Sequence, residues 1–165
     1  MIKINELNKH FEEEVVISGF VDEIRNLKWV QFVVLRDETG KVQITIEKSE
    51  EANKELVEII DNLTVESTLK VTGKVMDSPK VKLNGMEVIP SKIEVTSVNH
   101  GELPFNYKDI STVNLDTRLD YRWIDLRTEK NQLMFQMQTE MVKSFREFSL
   151  ERNFIEIHTP KLIGT

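Results

Sequence analysis

From residue 15 to residue 98 apolar and polar positions mostly alternate with a period of two, and beyond residue 128 the period becomes helical. The alternation predicts strands over residues 15–21, 30–36 and 42–46, each rich in β-branched side chains. Asp37-Glu38-Thr39-Gly40 joins the second to the third, with Gly40 where a hairpin turn calls for positive φ. Leu56, Ile59, Ile60 and Leu63 then fall at helical spacing within residues 50–62. Residues 69–75 predict a fourth strand, and residues 87–98 a fifth region, interrupted at Pro90. Three strands, a short helix and two more strands is the order of an OB-fold, a five-stranded Greek-key barrel. Five short strands could also make an SH3-like barrel or an open sheet. The helix between the third and fourth strands favours the OB arrangement.

Residues 99–115 lose all periodicity and carry two breakers, Gly101 and Pro104, so they read as a linker. A long helix is expected over residues 129–152, with Leu133, Met137, Met141, Phe145 and Phe148 in one apolar stripe. A last strand, residues 154–158, is expected to end at Thr159-Pro160, because proline cannot donate to a ladder. That helix and strand cannot make a core of their own. The predicted organisation is a barrel over residues 1–98, a hinge over 99–127, and the start of a second, truncated domain over 128–165.

Composition narrows the chemistry. Hydrophobic residues make up 39% and charged residues 30% of 165, the range of a globular protein. There is no cysteine, which excludes disulfides and thiolate metal sites. No apolar run approaches the roughly 20 residues that span a bilayer. The first ten residues lack the apolar core of a signal peptide, and a cytoplasmic location is expected. The net charge of −6 weighs against a nucleic-acid partner. It averages over the whole surface, however, whereas recognition depends on a local patch. His10, His100 and His158 are too scattered for a metal site, and no glycine-rich phosphate loop is present.

Several stretches resemble one family. Gly19-Phe20-Val21, Arg25, Phe32-Val33-Val34-Leu35-Arg36-Asp37 and Gly40-Lys41-Val42-Gln43 resemble the anticodon-binding OB domain of class II aminoacyl-tRNA synthetases, in their aspartate, asparagine and lysine subgroup. Asn153-Phe154-Ile155-Glu156-Ile157-His158-Thr159-Pro160 resembles motif 1 of the catalytic domain of that class. Asn153 stands where the family usually has glycine, a mild departure because asparagine also tolerates left-handed φ. The run from Leu115 to Arg127 resembles the aspartyl members of the archaeal and eukaryotic type.

The resemblance gives individual residues a meaning that composition does not. Phe32 lies among apolar neighbours, so a core position is the simpler reading; the resemblance implies instead that it stacks on the middle anticodon base. Gln43 faces away from Val42 and Ile44 and would ordinarily be a solvated residue. By resemblance its amide reads the middle uracil. Glu87, otherwise a surface glutamate, would accept from the exocyclic amine of a third-position cytosine. Arg25 and Lys28, beside Trp29, suggest contacts to phosphate and ribose, although the loop lacks the glycine the family often has near Leu27. Phe154, Ile157 and Pro160 would lie in the motif 1 dimer interface, and no catalytic residue is expected.

The resemblance thus implies tRNA(Asp) as partner, a homodimer, no membrane, and ATP with Mg2+ as cofactors of the complete enzyme. Motifs 2 and 3 are not in these 165 residues, so the chain alone is expected to need no cofactor and not to aminoacylate. Three alternatives remain open: an asparaginyl or non-discriminating Asp/Asn enzyme, a stand-alone OB-type nucleic-acid-binding module, and a regulatory paralogue that uses the Met-rich helix to bind proteins.

Overall fold

The β-branched runs form five strands in the structure, a computed structural model that describes residues 1–161. They are β1 (Glu14–Asn26), β2 (Val30–Arg36), β3 (Lys41–Glu47), β4 (Thr68–Asp77) and β5 (Met86–Ser97). They close into a barrel in the order β1-β2-β3-β5-β4. Every neighbouring pair is antiparallel except β3 and β5, where Gln43 faces Glu87 and Ile44 faces Val88 in parallel. This is the OB-fold that the strand–helix order predicts.

β1 is longer than its alternation suggests because it serves two neighbours. Its first half pairs with β4 and its second half with β2. Asp22 is the extra residue of a β-bulge between Val21 and Glu23, which bends the strand from one partner to the other. Two glycines allow the tight crossings. A Cβ on Gly19 would sit 2.4 Å from the Arg36 carbonyl oxygen, and one on Gly73 2.5 Å from that of Ile89. Pro90 faces Gly73 beside a register shift, so β5 runs through the proline and is not interrupted there.

Alternate residues fill the barrel: Val15, Ile17 and Val21 from β1, Val33 and Leu35 from β2, Val42, Ile44 and Ile46 from β3, Leu69, Val71 and Val75 from β4, and Val88 from β5. One end is closed by α1 (Lys54–Asp61), which buries Leu56 and Ile60. The other end is closed by a 3-10 helix, Ile4–Lys9, which buries Ile4 and Leu7; the polar look of the first ten residues hides it.

The turn from β2 to β3 corrects one expectation. Gly40 does not take positive φ; the turn is built on Asp37. One carboxylate oxygen of Asp37 accepts from the backbone N–H groups of Thr39 (2.7 Å) and Gly40 (3.0 Å) and from the Thr39 hydroxyl (2.6 Å). Its other oxygen accepts from the N–H of Ile4 (3.0 Å), which ties the 3-10 helix to the barrel. Burial pushes the Asp37 carboxyl up, but the Thr39 hydroxyl and these three N–H groups outweigh it and hold the group below its ordinary value.

Residues 1–101 form one compact unit, and a second begins at Glu102. In the second, residues with no visible period make a small core: Phe105, Tyr107 and Ile124, with Leu103, Ile110 and Val113 against them. Two short helices, α2 (Leu115–Asp120) and α3 (Arg122–Asp125), lead to α4 (Glu129–Leu150). The Asp125 carboxylate is fully buried, and accepts from Arg118 Nε (2.7 Å), Asn131 Nδ2 (2.9 Å) and Arg122. Thr128 caps α4 by accepting from the N–H of Asn131. Asn153 has φ +62°, the left-handed conformation that explains why asparagine serves there. The expected last strand does not form. Residues 154–158 pair with no other strand, and Phe154, Ile155 and Ile157 are 66%, 86% and 77% exposed. Leu133, Met137, Met141, Phe145 and Phe148 on α4 are each more than half exposed. No helix among the described residues is long and apolar enough to cross a membrane.

Candidate nucleic-acid interface

Strand parity decides which side chains of β2 and β3 leave the barrel. Val33 and Leu35 point inward, and so does Gln31, which is 0% exposed. Phe32 therefore points outward, although composition alone favours it as core. Gln31 is the polar residue that takes an interior position. Its Nε2 donates to Asp61 Oδ1 at the end of α1 (2.7 Å), an oxygen that also accepts from Asn26 Nδ2 (2.7 Å). That anchor fixes the register of β2, and a one-residue slip would send every side chain to the opposite face.

On β3 the inward residues are Val42, Ile44 and Ile46, which leaves Gln43 and Thr45 outside. Pairing then lines up one continuous row. Arg25 of β1 faces Phe32 of β2, Phe32 faces Thr45 of β3, and Gln43, two residues from Thr45 on the same face, is opposite Glu87 of β5. The barrel thus brings Arg25, Phe32, Gln43 and Glu87, far apart in sequence, onto one outer surface.

The Arg25 guanidinium lies 5.9 Å from the centre of the Phe32 ring, and its Nε is 3.1 Å from Glu23. Gln43 donates from Nε2 to the Thr45 hydroxyl (3.2 Å), and that hydroxyl donates to Glu87. Gln43 is only 9% exposed despite facing out, because its neighbours on the face crowd it. The surface therefore offers a half-buried aromatic face, an oriented amide and a carboxylate in sequence across three strands. A flat ring beside such a polar edge suits an unpaired base, with stacking worth about 1–3 kcal/mol per base.

Lys28 lies apart from this row, on the β1–β2 loop, with its ammonium 4.9 Å from the centre of the Trp29 ring. Trp29 is 67% exposed, a second aromatic at the rim. The β4–β5 loop, which in OB-folds also meets nucleic acid, carries exposed Lys80 and Lys82 and leads into Glu87. Asn84 Nδ2 holds that loop to the Lys41 carbonyl (3.0 Å). Thr45 and the two lysines are neighbours of the row that sequence reasoning did not single out, whereas Trp29 stands beside Lys28 as the sequence suggests. Thr45 was accessible to it, since a period of two puts it on the face of Gln43. The placements of Phe154, Ile157 and Pro160 are exposed and lie in the second unit. Among the described residues no group of three or more His, Asp or Glu is disposed to hold a metal ion.

Comparison with known proteins matches residues 15–96 to the family model described as an OB-fold nucleic acid binding domain, and residues 114–165 to that of tRNA synthetases class II (D, K and N). An aspartate–tRNA(Asp/Asn) ligase of Methanopyrus kandleri is 44% identical over 153 residues, 93% of this chain and 35% of the relative. An aspartate–tRNA(Asp) ligase of Pyrococcus furiosus is 38% identical over 162 residues, 98% of this chain and 36% of the relative. Among solved structures, an aspartyl tRNA synthetase from Entamoeba histolytica superposes with a TM-score of 0.86 at 30% identity, over 98% of this chain and 39% of that one. The chain thus spans about a third of the length of the curated relatives it matches.

Proposed function

Because this chain belongs to the class II tRNA synthetases of the aspartate, lysine and asparagine group, in their aspartate–tRNA ligase branch, we propose that its barrel is the surface that reads the anticodon of tRNA(Asp). The observation that carries the reading is the row Arg25–Phe32–Thr45 with Gln43 and Glu87 beside it on one outer face. Phe32 stacks on the middle base, Gln43 meets the edge of that uracil, and Glu87 accepts from the amine of the third-position cytosine. Arg25 holds the Phe32 ring and, with Lys28, meets the phosphate backbone. Such contacts position the nucleic acid, whereas the amide and carboxylate specify its sequence.

The complete protein would join aspartate to its tRNA in the cytoplasm at the cost of ATP, with Mg2+. Phe154, Ile157 and Pro160, exposed at the end of the chain, would lie in the homodimer interface of that protein.

Binding of an anticodon stem-loop with the sequence GUC, compared with the same stem carrying a scrambled loop, tests the proposal. A clear preference for GUC is expected at fixed salt, because phosphate contacts alone would bind both equally. Equal affinity would remove the anticodon assignment. Dual Asp/Asn recognition, named for the Methanopyrus kandleri relative, would show as equal binding of GUC and GUU.

A further inference from the structure

The polar groups of the candidate face are not independent. Gln43 Nε2 donates to the Thr45 hydroxyl at 3.2 Å, and the same hydroxyl donates to Glu87 across the parallel β3–β5 pair. We propose that Thr45 is a positioning residue which fixes the orientation of the Gln43 amide through Glu87, and so sets discrimination of uracil from cytosine at the middle base. This rests on the anticodon reading of the face.

The chemistry follows from proton counting. A carboxylate only accepts, so the single Thr45 proton goes to Glu87. The Thr45 oxygen is then left with lone pairs toward Gln43 and must meet the N–H side of the amide. A flipped amide would set its carbonyl oxygen against those lone pairs. Held in this way, the amide shows a base its carbonyl oxygen and its remaining N–H in one fixed order.

Uracil offers an N3–H donor beside a carbonyl acceptor, and it matches that order. Cytosine offers an N3 lone pair beside an amine, the reverse order, and it matches only the flipped amide. A free glutamine could serve either base by turning over. The hydroxyl of Thr45 prevents the turn, and Glu87, which meets the third base, supplies the acceptor that commits the hydroxyl. Recognition of the two bases is therefore coupled through one side chain that need not touch either.

Thr45 is only partly buried and its methyl contributes nothing to the interior of the barrel, so it can be changed without opening the core. The test uses the whole 165-residue chain and two GUC-type stem-loops that differ only in U or C at the middle base, at one salt concentration. Thr45→Val keeps shape and strand preference and removes the relay. The ratio of affinities for U over C is expected to fall by about tenfold, the scale of one well-made amide–base pair. Thr45→Ser restores the hydroxyl and the ratio, an outcome that a packing role for the threonine methyl would not give. Thr45→Ala, which asks nothing of neighbouring side chains, loses the ratio as Thr45→Val does. If Thr45→Val and Thr45→Ala keep the wild-type ratio, the relay is overturned while the anticodon reading stands. If the wild-type chain itself shows no preference for U, the reading of the face fails, and the relay with it.

Discussion

Removing the Phe32 ring separates an outward stacking residue from a core residue more sharply than any other single change. Phe32→Ala takes away a half-buried ring and its contact with Arg25 at 5.9 Å, but leaves Val33 and Leu35, the inward neighbours, in place. A Phe→Ala change in a packed core costs about 3–5 kcal/mol. Fully burying such a side chain contributes about 1.5–3 kcal/mol, so half-burial is worth about 1. The exposed cation–π contact adds about 0.5–1 kcal/mol. Folding stability should therefore fall by about 1–2 kcal/mol. Stem-loop affinity should fall by about 1–3 kcal/mol through lost stacking, which is roughly 5- to 150-fold. Leu35→Ala is the contrast: a fully buried side chain whose loss costs about 2–5 kcal/mol of stability, with no direct contact to a ligand. Urea unfolding and fluorescence anisotropy with a labelled GUC stem-loop, at a temperature where both variants are folded, measure the two effects. Phe32→Ala should lose binding out of proportion to stability, and Leu35→Ala the reverse. An outward, base-stacking Phe32 is refuted if Phe32→Ala destabilises as much as Leu35→Ala, or binds the stem-loop as well as the wild type.

Three further outcomes follow from other parts of the chain. Leu133, Met137, Met141, Phe145 and Phe148 leave α4 with an exposed apolar stripe, so sedimentation should show self-association that Met141→Lys with Phe145→Glu abolishes; a monomer at all concentrations would contradict this. Asp37 has a carboxyl held below its ordinary value of 3.8, so its contribution to stability is full above that value and is lost as pH falls through the lower, folded one; Asp37→Asn should flatten this acid-side loss in urea titrations between about pH 5 and pH 2, and an unchanged slope would show that the turn does not depend on the charge. Deleting residues 102–165 should leave stem-loop binding within about threefold, since the whole row lies in the first unit, which has its own core; loss of binding by a folded barrel would move the site.

The barrel was legible because its interior positions are β-branched and regularly alternate, and because the helix falls between the third and fourth strands. The face of Phe32 was not, since Val30 to Leu35 is almost uniformly apolar and the one polar residue, Gln31, is the inward one. The part-buried bond of Gln31 to Asp61, 30 residues away, together with the buried Val33 and Leu35, reveals which parity the strand takes. The turn at Gly40 misled for a similar reason: a glycine in a hairpin suggests positive φ, but the carboxylate of Asp37, the first residue of the same turn, accepts from its N–H groups. Residues 154–158 alternate like a strand and yet form none, because a strand exists only against a partner and no described strand pairs with them. The small core around Ile124 is drawn from residues with no shared period, so it could be seen only in three dimensions. Gln43 and Glu87 owe their meaning to the one parallel pair in the barrel, a contact between strands 44 residues apart that local pattern does not encode.

The central claim, that the outer face of β2, β3 and β5 reads an anticodon base by base, is tested most directly by a double-mutant cycle between protein and RNA. One arm changes Gln43 to alanine and the other changes the middle uracil of the GUC stem-loop to cytosine, with all four affinities measured at one salt concentration. If Gln43 meets that base, the losses are not additive, and the coupling should be at least about 1 kcal/mol, the usual scale of a direct amide–base contact. Strict additivity, with the uracil preference intact in Gln43→Ala, would show that the base is read elsewhere.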